Sequence, residues 1–324
     1  MLHDSRPATS NRRDWLKAAA GLASLFLLDT AAGAVPNDLR AKARRNFRLG
    51  MSSDVYGKLP VAEAAARMKA DGFCNVLCNL AFADARFDPL RPDWQVAEKI
   101  SAALEHNGLR ISSLYGYYNI VDPHADRCRN GQARMEFYLH NWKRFGCPIV
   151  ATETGTFNAQ SEWLESPENA TEDGYRQART AIERYVRIAE KTGAQVAIEA
   201  YWRNVIGTVE RAARLLRDIS SPALKIVMDP CNYFGPQDLA RMQPLLEEMF
   251  RKLGDRIVIA HAKDVKAGPK GTDTPAAGTG VLDYPLFLRL LAQLDRPIDL
   301  VIEHVALDDV PRARDYVRTQ MEKI

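Results

Sequence analysis

The chain has 324 residues, of which 46% are hydrophobic and 26% are charged, and its formal net charge is +3. This composition is typical of a globular enzyme, and the length suits one large domain, because a single (β/α)8 barrel takes about 250 residues. The nearly balanced charge, without a long basic stripe, excludes a general nucleic-acid-binding surface, so we expect no nucleic-acid partner.

The first 34 residues have the features of an export signal rather than of a folded domain. Residues 11–17, Asn-Arg-Arg-Asp-Trp-Leu-Lys, match the twin-arginine pattern, and an apolar stretch at 18–28 precedes a small-residue cleavage site, Ala-Gly-Ala, at 32–34. The alternative is a retained membrane anchor, but 11 apolar residues are too few to span a bilayer. We therefore predict that residues 1–34 form a cleaved signal peptide. It would direct residues 35–324 through the twin-arginine export machinery to the periplasm, without a stable membrane anchor.

Downstream of this leader, short apolar runs that predict buried strands alternate with amphipathic stretches that predict helices. The predicted strands are 47–51, 74–80, 110–115, 149–152, 196–199, 226–229, 257–261 and 300–303. The predicted helices are 61–70, 94–106, 133–145, 175–191, 209–219, 237–252 and 284–294, with a last helix from about 311. Residues 35–45 are a polar, basic lead-in. Eight strand–helix units without an internal boundary predict an α/β fold, a single (β/α)8 TIM barrel in residues 35–324.

The last four predicted strands end in Glu199, Asp229, His261 and Glu303. In a parallel barrel the carboxyl ends of all strands open onto one face, so these four side chains should converge there. Three carboxylates and an imidazole in one place would repel one another and lose hydration unless a cation lies among them. The pattern therefore predicts one bound divalent cation. Oxygen ligands with one imidazole favour Mn²⁺ or Mg²⁺, with Co²⁺ or Zn²⁺ as alternatives.

These ligands occur together with two further stretches, His-Ala-Lys-Asp at 261–264 and Gly-Thr-Gly at 278–280, the latter followed by Asp283-Tyr284. The combination resembles the xylose-isomerase-like barrels known as sugar phosphate isomerases or epimerases, over essentially the whole chain after the leader. The resemblance implies a small carbohydrate substrate. In the ketose 3-epimerases of this family, the two glutamates that correspond to Glu199 and Glu303 bind the metal and exchange substrate protons. It thus implies that both are catalytic, with an enediolate stabilised by the metal.

The chain departs from the epimerase pattern at three positions that hold substrate oxygens in those enzymes. Asn232 stands where the epimerases have His, Val205 where they have Glu, and Ala267 where they have Arg. Asn232 is therefore a candidate for substrate binding, and the resemblance does not fix a ketose as the substrate.

Lys263 follows the predicted ligand His261 by two residues, so it should share the same face of the strand. We predict that it donates to a substrate oxygen or assists a leaving hydroxyl; the alternative is an ion pair with Asp264 or Glu303. Further substrate contacts are predicted at positions that end or follow strands, with helix capping or packing as the alternative; these are Glu153, Tyr117 and Trp202. His304 is predicted to point to the other side of its strand and pack there.

Three functions are compatible with these residues. The leading hypothesis is a periplasmic, metal-dependent isomerase or epimerase that acts on a sugar or keto-sugar through an enediolate. The second is a metal-dependent lyase or dehydratase on a keto-sugar, keto-inositol or 3-oxo-glycoside, which begins with the same proton abstraction. The third is a non-catalytic sugar-binding barrel. A homo-oligomer is left open.

Overall fold

The computed structural model describes residues 36–324. Eight parallel strands close into a barrel in which each strand pairs with its neighbours in the chain, and the first strand pairs with the last. The strands are β1 Phe47–Ser52, β2 Asn75–Cys78, β3 Arg110–Tyr115, β4 Ile149–Glu153, β5 Gln195–Glu199, β6 Leu224–Met228, β7 Ile257–Ala262 and β8 Ile298–Ile302. The predicted (β/α)8 barrel is thereby confirmed.

Helices follow the strands around the outside of the barrel. They are α1 Pro36–Asn46, α2 Val61–Ala70, α3 Trp94–His106, α4 Ala125–Asn141, α5 Glu172–Thr192, α6 Val209–Asp218, α7 Met242–Leu253, α8 Tyr284–Gln293 and α9 Val310–Met321. The chain after β6 forms a short 3-10 segment, Pro236–Arg241, before α7, where the sequence predicts one continuous helix. No helix within residues 36–324 is long and apolar enough to cross a membrane. The predicted signal peptide lies outside the described residues.

Two further helices differ from the sequence prediction, and tertiary contacts accompany both differences. The basic lead-in forms α1, in which Arg45 pairs with Asp295 at 2.6 Å and Ala43 is fully buried. Helix α4 begins at Ala125, well before the predicted start near 133, although its first two turns lack an apolar stripe. Gly131 lies under the Tyr118 ring in that part of the helix, and any side chain there would collide with the ring.

The inside of the barrel is closed by a small apolar layer, separate from the large core between the strands and the helices. Its members come from six strands and are Leu77, Ala151, Ala197, Val227, Ile259 and Val301. Side chains two residues apart on a strand point to the same face. Five of these strands therefore direct Glu153, Glu199, Asp229, His261 and Glu303 to the inside, just above the apolar layer. The pleat of the strands thus places the predicted ligands at the carboxyl end of the barrel.

Candidate metal centre and active site

The four predicted metal ligands meet at the carboxyl end of the barrel. One ligand atom from each of Glu199, Asp229, His261 and Glu303 can be chosen so that all four lie within 4.8 Å of one another. The His261 Nδ1 atom lies 3.3 Å from an oxygen of Glu199, 3.3 Å from an oxygen of Glu303 and 3.6 Å from an oxygen of Asp229. All four residues are buried, with Glu303 the most exposed at 9%.

Neighbouring side chains hold two of these carboxylates in place. The Asn232 amide donates to Glu199 Oε1 at 2.7 Å, and the Tyr117 hydroxyl donates to Glu199 Oε2. Asp229 Oδ1 accepts the backbone N–H of Cys231 at 3.0 Å, as the cap of the 3-10 turn Pro230–Tyr233. Both carboxylates therefore have a set orientation before anything binds, which is what a preorganised ligand set requires.

The hydrogen bonding of His261 fits a metal ligand. Neither of its ring nitrogens has a hydrogen-bond partner among the described residues, although the side chain is 1% exposed. Buried polar atoms are nearly always hydrogen-bonded, so an imidazole without a hydrogen-bond partner among three carboxylates fits the role of a metal ligand. Burial disfavours the charged imidazole, but Glu303 and Glu199 raise the pKa of His261 well above its ordinary value. A bound cation would take the place of that proton. The buried Glu-Asp-His-Glu cluster fits one divalent metal.

A cavity of about 420 Å³ opens directly above this cluster. Four predicted substrate-binding residues line it, namely Glu153, Tyr117, Asn232 and Lys263. Trp202 does not; the structure places its ring beneath the Arg203 guanidinium, 4.3 Å away, and beside a separate pocket. Tyr201, one residue earlier, faces the cavity instead.

Comparison with known proteins identifies the family. The family model of the xylose isomerase-like TIM barrel matches residues 62–322. This chain belongs to that family. A search of curated proteins found no significant match.

Solved structures share the fold of this xylose isomerase-like barrel at low sequence identity. A xylose isomerase-like TIM barrel protein from Mycobacterium smegmatis in complex with magnesium is 18% identical, with a TM-score of 0.63 over 87% of this chain and 98% of that one. The 3-keto-D-glucoside 4-epimerase from E. coli is 18% identical, with a TM-score of 0.65 over 84% and 99%. The IolI protein with a bound zinc atom is 12% identical, with a TM-score of 0.63 over 85% and 98%.

Lys263 forms an ion pair with Glu303, which the sequence analysis gave as an alternative, and a second ion pair with Asp229. Its ammonium nitrogen lies 2.6 Å from Glu303 Oε1 and 2.6 Å from Asp229 Oδ2. Burial would lower the pKa of Lys263, but these carboxylates raise it well above its ordinary value. Asp264 is not a partner, because its carboxylate accepts three backbone N–H groups, those of Val265, Gly278 and Leu282. A contact of Lys263 with substrate stays a prediction.

Replacing Lys263 with Met should destabilise the metal-free barrel by about 3 kcal/mol, because it removes a buried cation that lies 2.6 Å from both Asp229 and Glu303. Urea unfolding in the presence of a chelator measures this loss. The matched control is Lys266→Met, three residues away on the exposed part of the same loop, and it should change stability by less than about 0.5 kcal/mol. Saturation with a divalent cation should reduce the loss in Lys263→Met, since the cation replaces the missing charge. Equal effects of the two substitutions would show that the ion pair contributes nothing.

Glu153 lies on the cavity wall beside Glu199, its register partner on the next strand. Burial, with a further contribution from the Glu199 charge, raises the pKa of Glu153 to about 8. The carboxyl group is therefore mostly protonated at neutral pH. It can donate a hydrogen bond to a substrate oxygen, which an ionised carboxylate cannot do.

The cavity also includes residues that the sequence did not indicate, among them Asp54, Trp163, Thr274 and His304. The prediction for His304 was wrong, because its backbone is left-handed, with φ of 55°, and the alternation of the strand stops there. The ring then faces the cavity. His304 Nδ1 lies 2.9 Å from the backbone oxygen of Thr274 and 3.0 Å from the Thr274 hydroxyl oxygen. The Nε2 atom is 3.9 Å from Glu303 Oε1.

Proposed function

We propose that this protein is a metal-dependent isomerase or epimerase that removes and returns a proton beside the carbonyl group of a sugar or keto-sugar. One observation carries the proposal. Glu199 and Glu303 each place an oxygen 3.3 Å from His261 Nδ1, so two carboxylates meet at one metal-ligand cluster beneath a cavity. Two carboxylates beside a bound substrate are what removal and return of a proton require.

The two glutamates differ in how they are held, and this suggests different roles. Burial alone would raise the pKa of Glu303, but His261 and Lys263 hold it well below its ordinary value, so Glu303 is ionised, which is the starting state of a general base. Both oxygens of Glu199 accept hydrogen bonds, from Asn232 and Tyr117, which fix its direction. A divalent cation held by Glu199, Asp229, His261 and Glu303 would offset the negative charge that develops on the substrate oxygens.

The remaining groups of the cavity suit a carbohydrate. The protonated Glu153 and the Lys263 ammonium are donors, the His304 ring offers a further polar group, and Tyr115 and Tyr117 offer aromatic faces. Three separate observations support the substrate class, the metal and the export. The E. coli relative is an epimerase of a keto-glucoside, which favours a keto-sugar. The donor set favours Mn²⁺ or Mg²⁺ over Co²⁺ or Zn²⁺. Export to the periplasm through the twin-arginine machinery is proposed from residues 1–34 alone.

Incubation in D₂O with a panel of free, oxidised and glycosidic sugars tests the proposed reaction. An isomerase or epimerase should incorporate deuterium at the carbon beside the carbonyl while the product keeps the elemental composition of the substrate. Mass spectrometry and NMR measure both. A matched sample treated with chelator serves as the control and should show only the background exchange.

Other outcomes assign the alternatives. Loss of water or of an aglycone would make the protein a lyase that begins with the same proton removal. Binding of sugars without exchange or any product in the metal-loaded protein would support a non-catalytic sugar-binding barrel and would contradict the proposal.

A further inference from the structure

The mouth of the cavity carries an exposed aromatic side chain with no evident role in the fold. Trp163 is 54% exposed and lines the same cavity as the catalytic glutamates. Large hydrophobic side chains of comparable exposure are few among residues 38–324, namely Leu90, Leu164 and Val281 besides Trp163. An exposed indole at the opening of a binding cavity is suited to contact a ligand, because it offers a large apolar face together with a polar N–H group.

A second aromatic ring stands against Trp163. The Tyr201 ring meets it edge to face, with ring centroids 6.3 Å apart and planes at 73°. Tyr201 comes from the segment after β5, whereas Trp163 belongs to the long loop after β4, so two separate loops build this surface. We call Trp163 and Tyr201 the aromatic rim. An edge-to-face pair leaves a ring face open to a third ring, which sugar C–H groups or an aromatic ring can cover.

Hydrogen bonds hold the aromatic rim in position before a ligand arrives. The Arg203 guanidinium donates to the Trp163 backbone oxygen at 3.2 Å and also to the Lys270 backbone oxygen, so it joins the two loops that carry them. On the other side of the tryptophan, the Thr156 hydroxyl donates to the Leu164 backbone oxygen at 2.9 Å. A surface fixed in this way loses little conformational entropy on binding.

The position of the rim relative to the proposed chemistry indicates what it binds. Glu199 and Glu303 are buried at the floor, at 4% and 9% exposure, whereas Trp163 lies at the open end. The cavity volume of about 420 Å³ falls in the range of pockets for drug-sized ligands, about 300–1,000 Å³, and a single sugar ring is smaller than such ligands. A sugar ring that reacts at the floor therefore leaves room for a second ring at the rim.

The charges around the rim favour an uncharged second ring. Glu162 and Glu165 lie within two residues of Trp163 in the same loop. The Arg203 Nε atom lies 3.7 Å from an oxygen of Glu165. These carboxylates would repel a phosphate group placed there. The rim is thus suited to a neutral sugar or an aromatic group rather than to the phosphate of a sugar phosphate.

We propose that Trp163 and Tyr201 form an outer subsite for a second ring, so that the substrate is an uncharged glycoside of a keto-sugar, with its ketone separate from the anomeric carbon, rather than a free monosaccharide. This inference rests on the proposed function and narrows its substrate class. The reacting sugar lies over Glu199 and Glu303, and the ring joined through the glycosidic oxygen lies against Trp163.

Kinetics with a matched pair of substrates test the outer subsite. Deuterium exchange is measured for a 3-keto-hexopyranose and for its aryl glycoside, in which the ketone stays free because it is not the anomeric carbon, with wild type, Trp163→Ala, Trp163→Phe and the control Leu164→Ala. Leu164 is exposed in the same loop but does not line the cavity. Trp163→Ala should raise KM for the glycoside by about two- to tenfold, since an aromatic contact contributes about 0.5–1.5 kcal/mol. The kcat of Trp163→Ala for the glycoside, and its KM and kcat for the free sugar, should stay unchanged. Trp163→Phe should restore most of the loss, and Leu164→Ala should match wild type.

The outcomes separate this inference from the proposed function. If Trp163→Ala raised KM equally for the glycoside and the free sugar, or for neither of them, the outer subsite would be overturned while the proposed reaction would stand. If neither substrate exchanges with wild type, the proposed function fails, and calorimetric binding of the same pair decides the subsite. Tighter binding of the glycoside that Trp163→Ala removes would then still support it, and equal binding of both compounds would overturn it.

Discussion

Glu303→Gln should slow deuterium exchange into the substrate by about 10²–10⁴-fold, the range of a general base. The substitution keeps the size of the side chain and an oxygen that can accept from Lys263, which lies 2.6 Å from Glu303 Oε1. The amide cannot take up a proton at neutral pH, however, so the loss should fall on kcat and kcat/KM more than on substrate binding. Exchange rates followed by NMR measure the effect.

Two controls distinguish lost proton transfer from lost metal. Metal content of the Glu303→Gln protein, measured after equilibration with excess Mn²⁺, shows whether the remaining ligands still hold the cation. Glu105→Gln, on the exposed face of α3, removes a carboxylate far from the cavity and should leave exchange unchanged. A Glu303→Gln protein that contains metal and exchanges at the wild-type rate would remove Glu303 from the mechanism.

Removal of the divalent cation should abolish exchange and lower the free energy of unfolding. Binding to the native state alone stabilises by about 2.7 kcal/mol when the free cation is at one hundred times its dissociation constant. The effect arises here because the cation neutralises Glu199, Asp229 and Glu303, which are buried together. Urea unfolding with and without chelator measures it. Re-addition of Mn²⁺, Mg²⁺, Co²⁺ or Zn²⁺ one at a time then ranks the metals.

One histidine that is a predicted ligand and one that is exposed provide the matched variants for this experiment. His261→Ala removes the imidazole ligand, so added cation should no longer stabilise the protein to the same extent. His106→Ala removes an exposed histidine at the end of α3 and should keep the full response. Stabilisation of His261→Ala and wild type by equal amounts would contradict a metal centre at these four residues.

Much of the barrel and its ligand set follows from the sequence by itself. Apolar runs without charges form strands buried on both faces, and a run that ends in Glu199, Asp229, His261 or Glu303 places that side chain at the carboxyl end of the barrel. The regular pleat explains why the ligand positions could be predicted, since each ligand lies two residues beyond an inward-facing member of the apolar layer. Local patterns also predicted most helices, because their apolar stripes are strong.

The tertiary structure alone decided the details that control specificity. His304 faces the cavity because the left-handed backbone breaks the alternation. Tyr201 rather than Trp202 lines the cavity, and the Trp202 backbone N–H donates to the Asn232 backbone oxygen at 2.7 Å. The partners of Lys263 come from β8 and from the end of β6, far from it in sequence. Each of these depends on a backbone angle or on a contact between distant segments, and neither can be read from the order of nearby residues. The repeating geometry of strands is encoded locally, whereas the direction of a loop side chain is set by what packs against it.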